Sequence, residues 1–434
     1  MALAMNVDAA ILLELARKGG ADFAEVYQTA GTSRSVSFEA NRLKQVETGD
    51  DQGTALRVWV NGRPGLAVAE GPFEAQALVE RALALSAFGV AEVPDLPTAG
   101  FPLTPPPLHT ASLDDLVACG EQAIALVRER YPQVLCSGGY SLSLETVRLV
   151  NSLGLDLSTT GSSLEGSLGA EWVRGDDLLQ VYEGEEVLDE PDPRALAARV
   201  LARLGWAERA AVSPGGTLPV LFTAKAASVL LGAALAALNG RQVLQQASPW
   251  SGRRGEAVLS PLLTLSQDPT RRPYDTPFDD EGTQTTALDF VRNGVLHTFF
   301  ADRRTARKLD LPPAGNGFRD ELGVYPQPGL FNLLVSPGDR SFAALVESID
   351  EGIVVDQVLG SGAGISGEFS VNVDLGYRVR RGEIVGRLKD TMVAGNAYTA
   401  LNRLVALGCE RFWEGSLLVG DLLVEALSVT TREE

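Results

Sequence analysis

At 434 residues the chain is about three times the size of a typical domain, so two or three domains are expected. Hydrophobic residues make up 45% and charged residues 21%, the balance of a chain that buries a large interior, which excludes disorder as an overall description. Lys and Arg total 37 against 56 Asp and Glu, and a formal charge of −19 disfavours a nucleic-acid or membrane-surface binder because phosphates and anionic headgroups would be repelled.

Residues 7–19 put Val7, Ile11, Leu12 and Leu15 on one helical stripe that stops at Gly19-Gly20. Short alternating runs follow at 24–27, 35–38 and 55–60, the last closed by Asn61-Gly62, a pair suited to the positive φ of a tight hairpin. Pro72 opens a second helix and Gly89 closes it. Six prolines between Val93 and Thr110 remove backbone donors and make 93–111 an extended connector. Ser112-Leu-Asp-Asp115 is a capping-box signature for a helix running to about Arg130. Strands are expected at 141–150, 155–159 and 166–172, and a helix over 194–211 is broken by Ser213-Pro-Gly-Gly216. Beyond it come a strand at 218–222, a small-residue helix over 224–238 capped by Asn239-Gly240, hairpins turning at Asn293-Gly294 and Arg381-Gly382, and helices at 341–349 and 397–407.

Antiparallel strands with separated helices, and no regular βαβ alternation, imply an α+β fold. The N-terminal part reads as an α/β region with antiparallel strands and helices, and the C-terminal part as a mainly antiparallel β domain with a few helices. The seams divide the chain into 1–92 (N-terminal α+β subdomain), 93–111 (Pro-rich connector), 112–212 (central α+β subdomain) and 213–434 (C-terminal β-rich domain). The three cysteines, Cys119, Cys136 and Cys409, match no paired zinc spacing and cannot build a disulfide framework, which points to a reducing cytoplasm. The opening segment reads as lacking an export signal, and the longest apolar stretch, 226–238, reads as a core helix rather than a membrane span.

Little of the usual catalytic vocabulary is present. The two histidines, His109 and His297, are too far apart to form a zinc-protease helix, although His297, Cys409 and a carboxylate could still build a composite site. Gly362-Ala-Gly364-Ile-Ser-Gly367 satisfies the dinucleotide fingerprint, but an alternating strand follows it where a helix N-terminus is needed, so it reads as a flexible glycine loop near a ligand cleft. Pro277-Phe-Asp-Asp-Glu-Gly282 gathers three carboxylates that could do acid/base work, hold a divalent cation, or simply solvate a loop. Arg303-Arg304-Thr-Ala-Arg307-Lys308 could clamp a carboxylate or end a helix in salt bridges.

Taken in order, several segments resemble the TldD/PmbA family, described as modulators of DNA gyrase. They include Pro277–Gly282, Asn293-Gly294-Val-Leu, Thr305-Ala-Arg-Lys-Leu309, Ala314-Gly-Asn316, Gly329-Leu-Phe-Asn, Leu359-Gly-Ser-Gly362, Ser366-Gly-Glu-Phe-Ser370 and Val393-Ala-Gly-Asn396. In the TldD branch, the resemblance implies, a helix carries His-Glu-x-x-x-His and a later cysteine completes a zinc site. The matching segment here, Thr223-Ala-Lys-Ala-Ala-Ser-Val-Leu-Leu-Gly-Ala-Ala-Leu, holds no His, Glu, Asp or Cys, and Cys409 sits in a segment resembling PmbA. The stretch 420–425 departs from the family by lacking a proline.

The chain therefore resembles the PmbA branch, also called TldE. That implies a non-zinc subunit of a cytoplasmic metalloprotease, with no cofactor of its own, zinc in a TldD-like paralogous partner, and unfolded or extended peptides as substrates. C-terminal strands would supply edge hydrogen bonds to the peptide. The cleft candidates are Asp279, Asp280, Glu281, Gly360, Gly362, Gly364 and Gly367, with no catalytic residue and no metal ligand. Alternatives are a homodimer when the partner is missing, a stand-alone hydrolase using Asp279, Asp280, Glu281 and His297, and a regulatory protein touching a gyrase or an antitoxin.

Overall fold

The computed structural model describes residue 5 and residues 7–431; residues 1–4 and 6, part of the segment read for an export signal, and 432–434 lie outside the described residues. The N-terminal half is built on a six-stranded antiparallel sheet of β1 (Phe23–Glu39), β2 (Arg42–Val60), β3 (Arg63–Glu70), β4 (Leu135–Asn151), β5 (Asp156–Arg174) and β6 (Asp177–Glu186), in the order β3-β2-β1-β4-β5-β6. Strand β1 pairs with β4 from Glu25↔Asn151 to Phe38↔Gly138, so residues on both sides of the connector share one sheet, and the expected subdomains 1–92 and 112–212 meet along its centre. The short runs read from the sequence fuse into strands of 17 and 19 residues, because polar stretches such as Thr29–Arg34 complete the ladder.

Helices α1 (Ala9–Lys18), α2 (Ala75–Ser86), α3 (Leu113–Arg130) and α4 (Pro193–Trp206) cover this sheet. The even-numbered residues of β1, Val26, Val36 and Phe38, lie in the apolar clusters beneath them, as the two-residue period of a strand requires. The contact face of α1 is Ala9, Leu12 and Ala16, while Ile11, expected on that stripe, stays 51% exposed. The Ser112 side chain accepts from Asp115 N and the Asp115 carboxylate accepts from Ser112 N, so the expected capping box starts α3.

After β7 (Gly216–Phe222) and a 3-10 turn at Ala224–Ala226 come α5 (Ser228–Leu238) and α6 (Gly240–Leu244). The remaining strands are β8 (Leu265–Gln267), β9 (Leu288–Arg292), β10 (Val295–Leu296), β11 (Gly317–Phe318), β12 (Gln327–Pro328), β13 (Leu333–Val335), β14 (Glu351–Leu359), β15 (Glu368–Arg380), β16 (Glu383–Arg387), β17 (Thr391–Asn396), β18 (Leu404–Glu414) and β19 (Leu417–Thr431). Helices α7 (Arg303–Lys308), α8 (Phe342–Glu347) and α9 (Ala397–Asn402) interrupt them. Strands β7, β14, β15, β17 and β19 form a closed ring, because β19 pairs with β17 on one side and returns to β7 on the other. The helix expected over 397–407 stops at Asn402; Leu404 onward pairs with β19 as a strand, the barrel's ladder overriding local helix propensity.

The barrel core is dry: Phe222, Leu230, Leu231, Val371, Leu422 and Val424 each expose 2% or less. No helix among the described residues is long and apolar enough to cross a membrane.

Candidate functional site

A cleft of about 540 Å³ separates the N-terminal sheet from the β18–β19 hairpin, and Lys225 reaches its floor. Lys225 lies in the turn that leads from β7 into α5. Its ammonium sits 2.7 Å from Glu183 Oε1 and 2.7 Å from Asp356 Oδ2, and donates to Tyr182 O at 2.8 Å. Arg203 adds a second cation, 3.0 Å from Glu183 and 3.5 Å from Asp356. Arg199, one turn earlier on the same face of α4, reaches Glu183 at 3.5 Å and Glu185 at 3.7 Å. Glu183 and Asp356 are buried, and each has at least two cationic neighbours, so the two carboxylates are compensated without leaving the interior.

Other carboxyls in and beside the cleft are less fully compensated. Burial pushes the Glu414 carboxyl up to about 7 and that of Asp421 up to about 6, while Asp421 still accepts from Ala224 N at the start of the turn. Burial also raises Glu185 and Glu186, whose oxygens take hydrogen bonds from the Tyr140 and Tyr274 hydroxyls. The outer edge of β6, which would otherwise be open, is tied off by long side chains: Arg387 on Leu178 O, Gln357 on Tyr182 N, Lys225 on Tyr182 O and Arg199 on Gly184 O.

The candidates read from the sequence fall into two neighbourhoods. The glycine loop begins four residues beyond Asp356 and packs on α5, with Ala363 N donating to Val229 O at 2.8 Å. Gly360, Gly362 and Gly364 are exposed there. Gly367 is buried with φ +80, and a Cβ on it would come within 2.6 Å of the Tyr398 ring, so its role is to let the chain turn. The acidic turn is instead wedged beneath the N-terminal sheet. Asp279 accepts from the backbone N–H of Glu281, Thr283 and Gly317, and Asp280 accepts from Arg319 N. Burial raises both Asp279 and Glu281, and Asp280 as well. His297 lines a third cleft with Arg254 and Asp289, so the four residues of the stand-alone hydrolase alternative are not gathered in one site. Helix α7 is the salt-bridged outcome for the basic cluster: Arg303 and Arg307 pair with Asp95, and Arg304 with Glu92, clipping the connector in place.

Sequence reasoning missed Lys225, Glu183, Arg203 and Asp356. Two of them carried a signal: Glu183 occupies an inward position in the alternation Leu179, Val181, Glu183, and Asp356 is an acid inside the apolar run of β14.

Two family profiles match the chain: "PmbA/TldA metallopeptidase C-terminal domain" over residues 215–431 and "PmbA/TldA metallopeptidase domain 1" over 24–86. The chain belongs to the PmbA/TldD metallopeptidase family. It is 26% identical to the metalloprotease PmbA homolog of Haemophilus influenzae, over 96% of this chain and 94% of that protein. The TldD homolog of the same organism is 28% identical but matches over only 50% of this chain and 46% of its own length. The crystal structure of TldE from Thermococcus kodakarensis shares the fold, with a TM-score of 0.90 at 23% identity over 97% of this chain and 99% of that one. The chain is thus a PmbA/TldE-like member of the family.

A metallopeptidase family raises the question of a metal. Among the described residues no group of three or more His, Cys, Asp or Glu side chains is arranged to hold one. At the start of the segment resembling the TldD metal helix, a lysine ammonium occupies the space between the two buried carboxylates. These residues do not fit a zinc ion.

Proposed function

We propose that this chain is the non-zinc subunit of a two-subunit TldD/TldE-type metallopeptidase of the cytoplasm, and that it holds extended peptide against a TldD-like paralogue carrying the zinc. One observation carries the reading: where the paralogous branch has its metal-binding helix, this chain has a ligand-free helix introduced by Lys225, whose charge is locked between Glu183 and Asp356. A cation fixed there by covalent structure replaces the need for a metal to neutralise the two acids. Full-length likeness to a PmbA homolog, against half-length likeness to a TldD homolog, supports the same branch.

The peptide path we favour runs through the cleft between the N-terminal sheet and the β18–β19 hairpin and past Gly360, Gly362 and Gly364, whose exposed backbone is accessible to hydrogen bonding. The closed barrel leaves β7, β14, β15, β17 and β19 no free edge inside the ring, so backbone reading falls to the glycine loop and the end of β18. The acidic turn 279–281 serves this reading only as a support between domains.

The test is reconstitution. Purified chain alone should leave an unfolded casein substrate intact, and adding it to the cognate TldD-type subunit should raise cleavage and yield a mixed complex on gel filtration. Unchanged cleavage with no mixed complex would refute the partner role. Chelator-sensitive cleavage by the chain alone would favour a stand-alone hydrolase.

A further inference from the structure

A second cavity, of about 580 Å³, lies where the N-terminal sheet, the connector and the C-terminal domain meet. Arg57, Arg241, Arg304 and Arg307 line it, a concentration of guanidiniums in a chain whose formal charge is −19. Glu92, Asp95, Glu281 and Asp302 share its wall. Three of the four arginines already have a carboxylate: Arg304 has Glu92, Arg307 has Asp95 and Arg57 has Glu25. Asp95 is divided between Arg303 and Arg307, and Glu25 between Arg57 and Arg319. Burial, then the neighbouring Asp279, raises the Glu281 carboxyl, so a cation beside it would be favourable.

Two cations retain unused donors. Arg57 is 9% exposed and its buried Nε has no hydrogen-bond partner. Arg241 bonds the side-chain amide oxygen of Gln327 rather than a carboxylate. Trp59 and Tyr325 supply flat apolar wall on either side of Arg57, whose guanidinium lies 4.6 Å from the Trp59 ring centroid and 5.7 Å from that of Tyr325.

We propose that this cavity binds a small zwitterion of the α-amino-acid type, a free amino acid or short peptide, with its carboxylate on Arg241 and its ammonium on the Glu281 and Asp302 side. The volume is that of a small-molecule site, on the order of 300–1,000 Å³. The mixture of signs selects the ligand: a polyphosphate would meet the arginines but also the carboxylates, whereas a zwitterion offers a partner to each sign. The cavity is separate from the Lys225 cleft, so the inference stands whether or not the chain partners a zinc subunit.

Titration calorimetry of the full chain at neutral pH tests it, using alanine, trialanine, trialanine amide, N-acetyl-trialanine and ADP as probes. Saturable binding of alanine or trialanine is expected, and which of the two binds tells amino acid from peptide. Loss of the terminal carboxylate, loss of the terminal ammonium, or R241Q should each weaken binding by about tenfold or more. The blocked ligands read the same contacts should R241Q fail to fold. Equal binding of the amide, no heat with either zwitterion, or preference for ADP would overturn the proposal.

Discussion

The barrel and the junction that joins it to the N-terminal sheet differ in how much charge they bury. In the barrel, Phe222, Leu422, Val371 and Leu230, Leu231 and Leu238 of α5 are closed to solvent and fit by shape alone. At the junction an apolar cluster, in which Leu196, Val200 and Leu204 of α4 meet Val354, Leu375 and Tyr377, is flanked by buried charge: Glu183, Asp356, Lys225 and Arg203 on one side, Glu25, Arg57 and Arg319 on the other. Apolar packing tolerates substitution in proportion to volume, while an ion cluster fails when one member is removed. Part of what holds the two halves of the molecule together is therefore the kind of contact least forgiving of change.

The comparison can be broken at either end. Phe222→Ala in the barrel should cost about 3–5 kcal/mol in urea unfolding, through lost burial and the cavity left behind. Lys225→Met should cost about 3–5 kcal/mol, nearly as much for a change of similar shape, because Glu183 and Asp356 lose the ammonium between them. If Lys225→Met were neutral while Phe222→Ala was not, the junction would be a passive filler and the contrast would fall. The same variant should lower peptide cleavage in the reconstituted pair.

A pH series sharpens the contrast. The folded chain holds Glu414 up at about 7 and Asp421 at about 6, against ordinary values of 4.5 and 3.8. Between those limits the native state binds more protons than the unfolded one, so stability falls as pH rises from about 4 and levels off above about 7. The melting temperature should accordingly be higher at pH 5 than at pH 8 where these groups dominate, and Glu414→Gln with Asp421→Asn should flatten the slope. The smallest effect lies far from both regions: Ser112→Ala removes the cap of α3 and should cost about 1 kcal/mol, read by the same urea titration.

Local chemistry made part of this legible in advance. Asn61-Gly62, Asn293-Gly294 and Arg381-Gly382 all take positive φ and turn hairpins, and Ser112 with Asp115 caps its helix, because each signal is complete within a few residues. The long strands were obscured because their middle sections, such as Thr29–Arg34, are polar and become strands only through neighbours on both sides. The strand at 404–414 was hidden for the same reason, its partner β19 being what makes it extended. At the site, the glycine loop could be picked out as a loop, but the Lys225 cluster draws on β6, α4, the turn before α5 and β14, positions from 183 to 356 that no local pattern connects. Asp279, Asp280 and Glu281 stood out as a charge run, yet their backbone partners include Gly317 of β11 and Arg319 just after it, far along the chain.

Strand β19 pairs with β7, β13, β17 and β18. During synthesis, a nascent polypeptide that has reached α9 but not residue 417 leaves all four ladders incomplete at once, with β7 waiting for a partner some 200 positions downstream. Loop closure over that distance is entropically slow, so the barrel half depends on protection from self-association in the interval, whereas the N-terminal sheet can fold as soon as β6 emerges. Truncations before β19 should accordingly accumulate as aggregates, and truncations after α4 as compact fragments.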